Sequence, residues 1–420
     1  MSSPTSMTPS RSPDPAASLP PLVIAAALAL AAAVSLGLAR FSYALLLPPM
    51  RTDLDWSYLT AGAMNTVNAA GYLAGALLTP SWLRRFGARR VLLGGGVAAA
   101  VLLAAHGATL VDSTLYLLRF LTGIASAATF VSGGVLAARL GSRGPEPATA
   151  GRPARSAPTA GLVLGIYYGG TGAGIVVSTL LVSPLSALPI PHAWRWAWVA
   201  LGVAGLLATL LTALATRSLA DGSTAAAARS AFGWRRFACG LASYFLFGLG
   251  YIGYMTFVIT LLREQQLSNT MVNVFFGVLG LAVMGSPWLW AGLLQRHRGG
   301  ESLRLLNALL AIATLLPVLS AHPLAVFASG LLFGGVFLSL VASTTALVRH
   351  NLPPTAWAAG ISAFTIVFAA GQIVGPTLVG WLADGSGGLR GGLAWSAGVL
   401  ALGALAAWGQ KPLGDREPAR

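Results

Sequence analysis

The chain has 420 residues, 55% hydrophobic and 9% charged, with a mean hydropathy of +0.74 and a formal charge of +15. Soluble domains carry roughly 25% charged residues, so this balance excludes an ordinary soluble domain and points to lipid as the solvent. The positive charge does not indicate nucleic-acid binding, because the basic residues sit in short clusters between long apolar runs rather than on one soluble face.

Residues 1–20 are Ser- and Pro-rich and polar, and are expected to form a disordered cytoplasmic tail. A bilayer core needs about 20 apolar residues per helix. The chain supplies that length at 22–50, 56–82, 91–111, 114–137, 160–182, 194–215, 237–262, 272–294, 303–321, 324–348, 356–382 and 391–409. The ninth of these is interrupted by Pro317, which a membrane helix tolerates. The expected architecture is all-α and integral to the membrane: twelve transmembrane helices in two pseudo-symmetric six-helix bundles. The bundles span 21–216 and 236–410, joined by a cytoplasmic linker at 217–235 and followed by a cytoplasmic tail at 411–420.

The arginines predict the orientation. With both termini cytoplasmic, 20 of the 26 basic residues fall in inner loops and tails, and only Arg51, Arg195, Arg263 and Arg390 fall outside. That bias is a positive-inside signal. Arg40 and Arg119 lie within spans. Cys239 is the sole cysteine and the five histidines show no paired spacing, so no internal disulfide, metal site or cofactor is expected.

The two halves repeat at an offset of 211 residues. Gly37-Leu-Ala-Arg-Phe-Ser-Tyr43 corresponds to Gly248-Leu-Gly-Tyr-Ile-Gly-Tyr254, Asp53 to Glu264, Ser57 to Ser268, Arg85 to Arg296 and Gly123 to Gly334. Gly170-x-x-x-Gly174 corresponds to Gly371-x-x-x-Gly375 at an offset of 201, because the loop near 141–157 is longer than its counterpart.

These features resemble the major facilitator superfamily. The turn Arg84-Arg-Phe-Gly-Ala-Arg-Arg90, containing Arg85, Gly87 and Arg89, is similar to that family's basic loop between the second and third helices. Arg119-x-x-x-Gly123 resembles its fourth-helix motif, and Gly165-Ile-Tyr-Tyr-Gly-Gly-Thr-Gly-Ala-Gly174 stands at its glycine-rich fifth helix. Gly37-x-x-Arg-Phe-x-Tyr43, Asn68-x-x-Gly-Tyr-x-x-Gly75 and Gly371-Gln-x-x-Gly-Pro376 resemble the bacterial YbfB/YjiJ branch. The acidic residue of the basic loop, which in the usual pattern braces the outward-facing state, is replaced here by Arg84. The resemblance implies a monomeric secondary transporter of the bacterial inner membrane, not an enzyme. It would move a small solute by rocker-switch alternating access, with possible proton or counter-solute coupling and a central site between the halves. The expected partners are the lipid bilayer and the small-molecule substrate.

Gly71, Gly75, Gly123, Gly170, Gly174, Gly371 and Gly375 are expected to let helices approach closely, and Pro376 to mark a hinge. Arg40 and Arg119 lie roughly 14 and 10 Å from the outer ends of their helices, and no Asp or Glu lies inside any span. Such cations normally face a polar interior. Tyr43, Asn65, Asn68, Tyr167, Tyr168, Tyr251, Tyr254 and Gln372 complete the candidate substrate site, with helix-to-helix hydrogen bonding as the structural alternative for each. Two buried cations without a counter-ion favour an organic anion. Efflux of hydrophobic drugs is the rival within transport, and a membrane sensor or scaffold the rival outside it.

Overall fold

The computed structural model describes residues 19–142, 159–219 and 232–413. The N-terminal tail to residue 18, most of the longer loop near 141–157, most of the 217–235 linker and the C-terminal tail from 414 lie outside the described residues. The described chain forms twelve long helices: α1 Pro21–Asp53, α2 Tyr58–Phe86, α3 Ala88–His106, α4 Asp112–Gly141, α5 Ala160–Ser186, α6 Trp194–Ala215, α7 Trp234–Glu264, α8 Asn269–Arg296, α9 Glu301–Leu319, α10 Pro323–Asn351, α11 Pro354–Ala383 and α12 Gly388–Trp408. Eleven are long and apolar enough to cross a membrane by length and composition. The other, α2, is 29 residues long but diluted by Asn65, Asn68, three threonines and two terminal arginines. A helix this polar crosses lipid only when its polar face is covered by protein. Most helices extend past the apolar windows, because polar caps and flanks continue them at the interface. Ser57 and Ser268 cap α2 and α8, accepting from Thr60 N at 3.1 Å and Met271 N at 3.3 Å.

An even number of crossings puts the start of α1 and the end of α12 on one side, the terminal face; the other is the distal face. Helices α1–α6 pack among themselves, as do α7–α12, and the two bundles meet along α1–α7, α2–α11 and α5–α8. The repeat seen in sequence extends to the backbone. Asp55 and Gln266, one offset apart, both adopt positive φ (50° and 61°) at the turn leaving α1 and α7. Gly123 packs against the Asn68 carbonyl, and its counterpart Gly334 against that of Leu279, again one offset on.

Glycines set the closest approaches. A methyl group on Gly71 would lie 2.0 Å from the Phe120 carbonyl oxygen, and one on Gly170 2.0 Å from that of Ala29. Gly75 meets Ile124 in the same way, Gly174 meets Ala33, and Gly371 and Gly375 meet Phe245 and Leu249. Backbone contact of this kind leaves no room for a side chain. Pro376 sits at the α2–α11 crossing with its carbonyl against Gly62.

Pro317 does not break α9. It cannot donate to the Ala313 carbonyl four residues back, and Ser329 Oγ on α10 donates to that oxygen at 2.6 Å instead.

Candidate functional site

The central polar seam is built around one departure from regular helix. Residues Ala33–Phe41 of α1 form a π segment, in which Ser42 N reaches back five residues to Gly37 O at 3.0 Å. π segments inside α-helices occur often at functional sites, and the corresponding stretch of α7 is ordinary α-helix. Arg40 lies in the widened turn, buried at 3% exposure.

From there Arg40 crosses the interface. Its Nη2 donates to Gln372 Oε1 on α11 at 2.9 Å, and Gln372 Nε2 donates in turn to Tyr251 Oη on α7. The guanidinium lies 5.3 Å from the Tyr72 ring centroid, and its Nε has no partner.

Arg119 approaches the same turn from α4. Its Nη1 donates to the carbonyl of Ala39, the residue before Arg40, at 3.0 Å, and its Nη2 to Asn65 Oδ1 at 3.3 Å. It lies over the rings of Tyr43 and Trp198, at 4.7 and 5.8 Å. Asn68 Nδ2 donates to the Arg119 carbonyl at 3.0 Å, and Tyr43 Oη to that of Ala61 at 2.9 Å. Asn65 Nδ2 crosses to the other half and donates to Thr256 Oγ1 at 2.7 Å. Among the described residues neither arginine pairs with a carboxylate; the one ion pair is His192–Asp53 on the distal face.

The structure therefore brings together Arg40, Gln372 and Tyr251, and beside them Arg119, Asn65, Asn68 and Tyr43. Two expected residues, Tyr254 and Tyr167, lie elsewhere. Tyr254 is a helical turn from Tyr251, but residues three apart are rotated by about 60°. Its hydroxyl bonds Ser329 at 2.6 Å, within the network that satisfies the Ala313 carbonyl left free by Pro317. Tyr167 donates to the Phe130 carbonyl at 2.5 Å inside the first bundle. Tyr168 packs edge-on to Tyr167, with ring centroids 5.3 Å apart, and makes no hydrogen bond to the seam among the described residues.

The structure adds Thr256 and an aromatic ladder. Tyr244, Phe247 and Tyr251 stack successively along α7 at 5.6 and 4.7 Å, and all three stack on Phe368 of α11. Phe337 stacks on Tyr251 and meets Phe41, beside Arg40, edge-on. The spacing 244, 247, 251 was the available signal, since it places the three rings on one helical face.

From the seam to the distal face the halves are tied closely. Thr66 Oγ1 donates to Ile373 O at 2.7 Å, Ser183 Oγ to Asn273 Oδ1 at 2.5 Å, and Tyr58 Oη to Glu264. Asp384 accepts from Tyr58 N and Leu59 N at 2.8 and 2.9 Å. A cleft of about 700 Å³ lies above these ties, lined by Arg51, Thr260, Arg263 and Glu264 among others. The basic turn between α2 and α3 lies on the terminal face. There Arg84 donates to Ser81 Oγ at 3.1 Å, Arg85 stacks on Phe86, Gly87 turns at φ 84°, and Arg89 donates to Ala213 O at 3.0 Å.

Two six-helix membrane bundles meeting on a buried polar seam define a transporter of the major facilitator superfamily. The family model described as "Uncharacterised MFS-type transporter YbfB" matches residues 32–408, and the chain belongs to that family. Among curated proteins none matches it in sequence. Solved structures share the fold. One is a bacterial homologue of the human lysosomal transporter Spinster, inward-facing and unoccupied: TM-score 0.69, 15% identity, covering 92% of this chain and 96% of that one. Another is the nucleoside transporter NupG: TM-score 0.67, 13% identity, covering 94% of this chain and 100% of that one. The protein is thus a multi-pass membrane transporter of a small solute, and not an enzyme.

Proposed function

We propose that this transporter carries a small organic anion, carboxylate-bearing, across the bacterial inner membrane by rocking its two halves about the Arg40 seam. The observation that carries this reading is the state of Arg40: a buried guanidinium at the bundle interface, answered by the neutral amide of Gln372 rather than by an acid. An arginine in a span costs about 2.5–3.5 kcal/mol on insertion scales. A carboxylate would accept two charge-assisted hydrogen bonds from its fork. Arg119 adds positive potential one residue away along α1, whereas a lipophilic cation would meet like charge at short range.

With the termini cytoplasmic, as the arginine distribution favours, the tied distal face is the outside. The arrangement described is then the one closed to the exterior. Alternating access requires those ties to exchange for a set near the terminal face.

The aromatic ladder favours a second reading, efflux of planar hydrophobic compounds. One experiment separates the two: thermal stabilisation of purified protein by mono- and dicarboxylates and by quaternary amines, in wild type and Arg40→Gln. A ligand at 100 times its Kd adds about 2.7 kcal/mol of apparent stability. Carboxylates should stabilise wild type and not the variant. Stabilisation by amines alone, equal in both proteins, would leave the efflux reading.

A further inference from the structure

A second cavity has no part in the transport seam. It is a lateral groove of about 550 Å³ between α2, α3 and α4, on the flank of the first bundle. Its floor is α3, where Gly94 and Gly95 replace side chains, and its far wall is Leu121 and Ile124 of α4. Trp82 and Phe86 of α2 stand beside its terminal-face end, and Arg90 lies at its mouth. From Arg90 to Leu102 the groove follows twelve residues of α3, about 18 Å at 1.5 Å per residue. Half the hydrocarbon core of a bilayer is about 15 Å, so the groove runs the depth of one leaflet.

We propose that this groove holds an acyl chain of one anionic phospholipid, with its phosphate taken by Arg90. The proposal rests on the membrane fold and not on the anion-transport reading.

Charge argues for the headgroup. Arg84, Arg85, Arg89 and Arg90 stand within seven residues, and no acid occurs anywhere in that turn. Arg85 and Arg84 are occupied by Phe86 and Ser81, and Arg89 reaches α6. Arg90 is exposed, and no described residue partners it. A lipid phosphate supplies the negative charge that the loop lacks, and basic clusters at a membrane surface attract anionic lipid. Trp82 and Phe86 suit the same depth, since amphipathic rings gather at the headgroup level. Packing argues for the chain. The outward position of Gly94 is open, and a methyl built there meets nothing within 4 Å. Gly95 by contrast faces Thr129 of α4 at 2.7 Å, so the helices close behind the groove and leave it facing lipid. A helix from a second copy would also fit glycines, but docking there would bury the Arg90 guanidinium without a counter-ion.

Native mass spectrometry of the detergent-solubilised full chain tests this, with phosphatidylglycerol and phosphatidylcholine as probes. Gly94→Leu fills the groove without a backbone clash. Gly398→Leu, at an exposed and open position on α12, is the control for a leucine on the flank. We expect wild type and Gly398→Leu to retain one phosphatidylglycerol in preference to phosphatidylcholine by threefold or more. Gly94→Leu should lose at least fivefold of that retention at unchanged melting temperature, and Arg90→Gln should bind both lipids alike. Equal retention by Gly94→Leu, or no headgroup preference in wild type, would overturn the proposal. A dimer abolished by Gly94→Leu would overturn it too, assigning the groove to a second copy.

Discussion

Asp384 closes α11 by capping α2 of the opposite half: its two carboxylate oxygens accept from the main-chain N–H groups of Tyr58 and Leu59 at 2.8 and 2.9 Å. The first amides of a helix have no partner within it and carry the positive end of its dipole, so a carboxylate there is stabilising. Elsewhere such a cap holds one helix. Here it holds two bundles together, and Gly380 allows the contact by lying against the Tyr58 carbonyl.

Removing the carboxylate should therefore loosen the distal face. Cap substitutions cost about 1 kcal/mol, which is about fivefold in a two-state population. In a Cys239→Ser background, Thr260→Cys, on a side chain 4% exposed in the distal cleft, should react with a polar maleimide about fivefold faster when Asp384→Ala is added. An unchanged rate would mean that Asp384 does not restrain opening.

Gln372 stands where an acid would neutralise Arg40. Gln372→Glu should turn this hydrogen bond, charged on the donor side alone, into an ion pair charged on both sides. It should raise the unfolding temperature while abolishing stabilisation by carboxylates. If carboxylates still stabilise this variant, Arg40 is not their partner.

The crossings of α2 with α4 and of α8 with α10 should fail alike. A methyl on Gly123 would lie 2.2 Å from the Asn68 oxygen, and one on Gly334 2.3 Å from that of Leu279. Overpacking costs about 1–3 kcal/mol, so Gly123→Ala and Gly334→Ala should both lower the melting temperature by several degrees. Gly94→Ala and Gly277→Ala, which meet nothing within 4 Å, should leave it unchanged.

The arginine bias predicts the topology. Reporter fusions in the turns before Asp112 and after Leu188 should read as external, and those at Gly299 as cytoplasmic. The reverse pattern would invert the assignment of the two faces.

Much of this fold was legible in the sequence, because lipid imposes length and polarity rules on every span. Even α2 reads as a span, at 56–82, from its length, although it is too polar to pass on composition. The repeat offset correctly paired Ser57 with Ser268 and Gly123 with Gly334. The site was less legible. That Arg40 and Arg119 converge on one turn of α1 depends on the crossing of α1 with α4, which no local pattern encodes. The π segment carrying Arg40 has no composition signature, and Tyr254 diverges from Tyr251 because residues three apart on a helix are rotated by about 60°, which turns Tyr254 to Ser329 of α10. Thr256 was hidden for a different reason: a threonine on a membrane helix ordinarily bonds its own backbone. Thr256 does so too, donating to Ile252 O at 2.6 Å while accepting from Asn65.

Anion transport through the Arg40 seam is tested most directly by counterflow. Proteoliposomes loaded with the carboxylate that best stabilises the purified protein would be diluted into a trace of its labelled form. Wild type should accumulate label transiently, and Arg40→Gln, reconstituted at equal density and with an unchanged melting temperature, should accumulate at least tenfold less. Equal accumulation by the two proteins would contradict the assignment of Arg40 to the substrate.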